Sequence, residues 1–153
     1  GLAAPRRGGV SAPLVVAVVG AESTGKTTLA QALAAQLARP DRRVAVVGEF
    51  LRDFCTLHGR TPRIDEQVGI AAEQTRRIAD AAASHDIVVA DTTALMVAVY
   101  SVQVFGDRSL LPVAARAHAV CDLTLLTALD LPWQPDGHQR DGPHVRAPVD
   151  ALL

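Results

Sequence analysis

The chain has 153 residues, enough for one domain with a sizeable buried core. A formal net charge of −1 leaves no electrostatic footprint for nucleic acid or an anionic membrane, and no apolar run approaches the ~20 residues of a membrane span. Cys55 and Cys121 are far apart and match no metal or redox spacing, so they read as buried free thiols of a reducing, cytoplasmic compartment.

The opening "GLAAPRRGGVSAP" carries arginines but no acid and no apolar segment, so residues 1–13 read as a flexible arm rather than a secretory signal. "LVVAVV" (14–19) is a continuous β-branched run of the kind buried on both faces of a parallel sheet. After "GAESTGKT" the spacing of Leu29, Leu33 and Leu37 predicts a helix that Pro40-Asp41 stops. "VAVVG" (44–48) is a second strand leading into Glu49, and "FLRDFCTLHGR" reads as a short helix and a loop. Thr61-Pro62 has the form of an N-cap before a proline at the first helical position. The helix it announces would run to about Ala83, with Val68, Ala71, Thr75, Ile78 and Ala82 on one face. "DIVVAD" (86–91) is a third strand, "TALMVAVYSVQVF" a helix ended by Gly106, 109–119 another helix, and "LTLLT" (123–127) a fourth strand.

Strands alternating with helices predict an α/β fold, a doubly wound parallel sheet with helices on both faces. No apolar strand follows residue 127, so the sheet is expected to be C-terminally incomplete, with one unpaired edge.

"GAESTGKT" matches G-x-x-x-x-G-K-[ST] at Gly20, Gly25, Lys26 and Thr27, placed between a buried strand and a helix. In such a loop successive backbone N–H groups and the helix N-terminus face the phosphates. Gly25 allows close approach, Lys26 neutralises the outer phosphates, and the Thr27 hydroxyl holds Mg²⁺. Gly20, Ala21, Glu22, Ser23, Thr24, Gly25, Lys26, Thr27 and Thr28 are therefore the expected nucleotide-binding set. Lys26 is the single lysine among 15 basic residues, in a chain that otherwise uses arginine for every cation.

Asp91 ends its apolar strand where an aspartate completes the metal shell of phosphate-loop proteins; capping of the next helix is its other reading. Thr92 and Thr93 follow it in place of the water-activating glutamate common in motor ATPases, and a chain with one lysine cannot contain the Asn/Thr-Lys-x-Asp element of G-proteins. Phosphoryl transfer to a small acceptor remains. It needs a carboxylate near the acceptor hydroxyl, and Glu49 lies beyond the carboxyl end of a strand, with Arg52 one turn further on. Glu49 and Asp91 compete for the role of base, and a surface ion pair is the plainer reading of Glu49 with Arg52. The five histidines show no metal-ligand spacing and read as surface or loop residues.

"GAESTGKTTLA", "GEFLRDF", a helix from Asp65 to Gln74, "VVADTT", "DLTLLTALDLPWQPDGHQR" and "HVR" occur in this order. From residue 14 onward the set resembles the nicotinamide-riboside kinase domain of the NadR type, a P-loop kinase family. Read as a phosphate-loop kinase, with that loop following strand 1, the sheet has the expected strand order 2-3-1-4. The resemblance implies ATP and Mg²⁺ as cofactors and nicotinamide riboside as the acceptor, with nicotinamide mononucleotide as product. It implies that Glu49, Arg52, Gln74 and Asp91 surround acceptor and metal. Asp130, Trp133, Asp136 and Arg140 would belong to an acceptor and lid loop at about 129–146. An indole face attracts a cation by roughly 0.5–2 kcal/mol, which suits Trp133 to a pyridinium ring; anchoring of the loop is its other reading. Arg140 would close over the transferring phosphate, and Arg146 is either a second lid cation or solvated. Relatives of this type continue into a further strand and helix and tend to carry aspartate where Thr127-Ala128 stand here. Two further readings stay open: a nucleotide-dependent regulatory module without turnover, and a kinase of another nucleoside-like acceptor. No nucleic-acid or membrane partner is expected, and the sequence carries no signal of oligomeric state.

Overall fold

The computed structural model describes residues 11–130, 144 and 146–153, so residues 1–10 of the expected arm and most of the expected acceptor loop lie outside it. Four strands form the sheet: β1 (Leu14–Val19), β2 (Val44–Val47), β3 (Ile87–Asp91) and β4 (Leu123–Leu126). All pair in parallel, as the alternation of strand and helix leads one to expect, and their order is β2-β3-β1-β4. β1 is aligned with β3 from Leu14↔Ile87 to Val18↔Asp91, which sets the ends of these two central strands level.

Alternation along the strands divides the core between two faces. Val15, Val88 and Ala90 point to one face and meet Ile78 of α3 (Gln67–Ser84). Val18, Ile87 and Val89 point to the other and meet Ala30 and Ala34 of α1 (Lys26–Leu37). Burial on both faces is why these strands read as unbroken apolar runs. A third cluster joins Leu51 and Cys55 of α2 (Phe50–His58) to Ile70 and Ala71 of α3. Val97 and Ala98 of α4 (Ala94–Phe105) and Ala114 of α5 (Leu111–His118) complete it. α6 (Arg146–Leu152) sets Val149 against Met96 and Val99 of α4.

The elements that the sequence marks stand where it places them, but α6 has no counterpart among them, and several faces and boundaries differ. On α1 the buried positions are Lys26, Ala30 and Ala34, while Leu29 is exposed and Leu33 and Leu37 flank the core. Alanine at 30 and 34, one turn apart, lets the helix axis lie close to the sheet. Thr61-Pro62 caps nothing; a short 3₁₀ turn at Ile64–Glu66 leads into α3, and the Glu66 carboxylate accepts from the Arg63 N–H at 2.7 Å. The buried stripe of α3 is Gln67, Ile70, Ala71, Gln74 and Ile78, and Val68 is exposed. Two buried glutamines turn this stripe away from the one that apolar periodicity marks. Cys55 is buried as expected, whereas Cys121 is half-buried.

His118 also departs from expectation. It is half-buried at the end of α5, and its ring joins the Thr93 and Thr124 hydroxyls at 2.8 Å on each nitrogen. Burial holds its pKa below the usual value. It is a structural bridge between α4 and β4.

Among the described residues, no helix is long and apolar enough to cross a membrane.

Candidate functional site

In a parallel sheet every strand ends on the same edge, and side chains just past those ends converge. Gly20 follows β1, Glu49 lies two residues past β2, Asp91 ends β3, and Thr127 follows β4. Four parallel strands therefore bring residues distant in sequence to one rim.

The segment from Gly20 to Gly25 turns between β1 and α1. Ser23 (φ 54°) and Gly25 (φ 82°) are left-handed, the alternation that directs successive N–H groups to one side of a turn. Gly25 is also the N-cap of α1. The Thr24 hydroxyl donates to the Ala21 carbonyl at 2.6 Å and meets the Thr127 hydroxyl at 2.5 Å. Lys26 is buried, and its Nζ donates to the Ala21 carbonyl at 2.9 Å, which folds the ammonium back over the loop. Thr28 is exposed on the first turn of α1.

Thr127 was visible in the sequence only as a missing carboxylate. Its hydroxyl also lies 3.3 Å from the Val19 carbonyl, so it braces the loop from behind. A Cβ on Gly20 (φ 153°) would collide with the Thr127 Oγ1. Glycine is required there by Thr127 as well as by the backbone angle. A polar residue just past an apolar strand, the same signal that marks Asp91, could have found Thr127.

Beside the loop, the Thr27 hydroxyl donates to Asp91 Oδ2 at 2.5 Å and accepts from Arg52 Nη1 at 3.1 Å. Arg52 Nη2 lies 3.6 Å from Glu49 Oε2. The Glu49 carboxylate is almost wholly buried, so the plain surface-pair reading of these two residues does not hold. Asp91 does not cap α4; Thr93 does, its hydroxyl accepting from the Leu95 N–H at 3.3 Å. Burial pushes the Asp91 carboxyl above its ordinary pKa, the Thr27 hydrogen bond opposes this, and nearby Glu49 adds to the rise. Its Oδ1 is buried and has no hydrogen-bond partner among the described residues. A hydroxyl and a carboxylate side by side, with one oxygen uncommitted, are the hard oxygen donors that Mg²⁺ takes, so the residues fit that ion.

Thr92, next to Asp91, has φ 74°. For a β-branched residue the left-handed region costs ~1–2 kcal/mol, so the chain there is held in place by its surroundings. Gln74 is buried beneath this point and, among the described residues, bonds to main chain alone. Asp130 lies in an exposed turn after β4. Trp133, Asp136 and Arg140 fall outside the described residues, and Arg146 opens α6.

A parallel sheet with a glycine-rich turn from β1 into α1, an invaginated lysine and a Thr–Asp pair beyond the strand ends defines a P-loop nucleotide-binding domain. The AAA domain model AAA_28 matches residues 15–153, and the chain belongs to that family. Among solved structures, the one described as "Crystal structure of NadR protein in complex with NR" matches with a TM-score of 0.70 and 23% identity. The match covers 92% of this chain and 40% of that one, so this chain spans well under half of the NadR chain and shares its fold over that part. No curated protein matches the chain.

Proposed function

We propose that this protein is a Mg·ATP-dependent small-molecule kinase that transfers the γ-phosphoryl group to the 5′-hydroxyl of nicotinamide riboside. The observation that carries the reading is the pair of buried carboxylates, Glu49 and Asp91, beside the phosphate loop and linked through Arg52 and Thr27. The motifs from "GEFLRDF" to "HVR" support the acceptor, as does the solved NadR structure, which holds NR.

In this reading the loop amides and Lys26 gather the phosphates, with the ammonium leaving the Ala21 carbonyl for them. Thr27 and Asp91 would hold Mg²⁺, which when bound offsets charge on the β- and γ-phosphates. Since Asp91 is engaged with Thr27, Glu49 is the better base. Its carboxylate orients the acceptor hydroxyl and takes its proton as the oxygen attacks phosphorus. Arg52, between Glu49 and Thr27, meets the negative charge that spreads over the transferring group. Asp130, Trp133, Asp136 and Arg140 are proposed to recognise the acceptor and close over it: aspartates for ribose hydroxyls, the indole for the cationic ring, the guanidinium for phosphate.

The test is ADP release from ATP and Mg²⁺ with and without nicotinamide riboside. Acceptor-dependent ADP with matching nicotinamide mononucleotide is expected. Release with another nucleoside only would move the acceptor, and tight ATP binding with no turnover would make the protein a nucleotide-dependent regulatory module. Trp133→Ala is expected to raise the acceptor KM by about tenfold with little change for ATP, from loss of a cation–π contact of up to ~2 kcal/mol.

A further inference from the structure

We propose that Gln74 is a positioning residue whose buried amide sets Glu49 and Asp91 relative to each other across the open ends of β2 and β3. The inference rests on the reading of those two carboxylates as the reacting pair.

The β2–β3 ladder runs from Val44↔Ile87 to Val47↔Ala90 and stops there. Both carboxylates are carried by residues just beyond the last rung, where no ladder hydrogen bond fixes their separation. Gln74 reaches this gap from α3. Its Oε1 accepts from the Phe50 N–H at 2.8 Å, and its Nε2 donates to the Gly48 carbonyl at 3.2 Å and the Thr92 carbonyl at 3.0 Å. One planar group thus grips the main chain on both sides of Glu49 and immediately after Asp91, in the manner of two missing rungs.

Thr92 is held from the opposite side as well, since its N–H donates to the Val18 carbonyl at 3.2 Å. Pinned between β1 and Gln74, it keeps the left-handed conformation from which Asp91 faces Thr27. Both Nε2 hydrogens are spent on main-chain carbonyls, so Gln74 has no donor left for a ligand. It serves the site through the backbone, in contrast to the acceptor contact expected from the sequence.

The chemistry admits few substitutes. An amide supplies an acceptor and two donors on one plane. Methionine keeps the bulk and loses all of these bonds. Asparagine keeps the amide but is one methylene short of spanning both strand ends.

Gln74→Met and Gln74→Asn test the proposal through readouts that respond differently. ADP affinity in EDTA reports the loop alone; none of the three hydrogen bonds of Gln74 touches residues 20–28, so a change within about threefold is expected. Mn²⁺ affinity with ADP bound, measured by electron paramagnetic resonance, is expected to fall by about tenfold, as for other groups that orient a metal ligand. With nicotinamide riboside, kcat is expected to fall by about thirtyfold while the acceptor KM stays within about threefold. A folded variant with the parent's Mn²⁺ affinity and kcat overturns the proposal. So does a raised KM at unchanged kcat, the pattern of a direct substrate contact. If the parent phosphorylates no acceptor, the kinase reading fails, while the Mn²⁺ titration still decides the role of Gln74.

Discussion

Lys26 and Asp91 are both buried charges, yet they meet burial in opposite ways. Lys26 donates to a carbonyl of its own loop, a contact it can exchange for phosphate oxygens. Asp91 has one oxygen on Thr27 and, among the described residues, no hydrogen-bond partner for the other, and burial outweighs what Thr27, Lys26 and Arg52 do to hold its charge. Because its folded-state pKa is raised, nucleotide-free stability falls as pH rises from its unfolded value through its folded one. Asp91→Asn is therefore expected to raise the melting temperature of the nucleotide-free protein at neutral pH. The same change should lower Mg²⁺-dependent turnover by ~100-fold or more, which calorimetry and an ADP assay would show together. Glu49→Gln is expected to leave ATP affinity near that of the parent and lower kcat by ~100-fold or more, measured under ATP saturation.

At the scale of elements, the phosphate loop is a joint between β1, α1 and β4. Gly20→Ala should clash with Thr127 and force the loop out of shape, whereas Thr127→Val removes only the hydroxyl brace. The expected order of ATP affinity is parent, then Thr127→Val, then Gly20→Ala, read by isothermal titration. Before α3, Arg60 and the Arg63 N–H hold the Glu66 carboxyl well below its ordinary range, at about 2. A depressed folded-state pKa gives stability that is present above pH ~4.5 and lost as pH falls towards 2. The group is solvent-screened, so its contribution is small. Glu66→Gln should melt below the parent at pH 6, and the two curves should converge near pH 2.

For the whole molecule, site and core are one construction. Val18 and Ala90 pack the two faces of the sheet, and the chain passes from these strands directly into the phosphate loop and Asp91. Ligand binding at the rim should therefore stabilise the entire domain. Mg·ATP at about 100 times its Kd adds ~2.7 kcal/mol, which in a chain of this size raises the melting temperature by roughly 5–11 °C. Lys26→Ala is expected to abolish that rise in a thermal-shift titration, and a full rise in this variant would dismiss the phosphate-loop assignment.

Local order in the sequence was enough for the strands, their parallel direction and the phosphate loop. Each of these follows from a short run: a β-branched stretch buried on both faces, or glycine and lysine at fixed offsets. Thr27 and Asp91 were also legible, because a motif position and a strand end locate them without knowledge of the remainder. The buried stripe of α3, the brace from Thr127, the bridge through His118 and the spent amide of Gln74 were not. These depend on polar groups whose partners lie tens of residues away, and a buried glutamine looks no different from an exposed one in a hydropathy pattern. Only packing decides which polar side chains lose water and must find main-chain partners, as the Gln74 amide does at Gly48, Phe50 and Thr92.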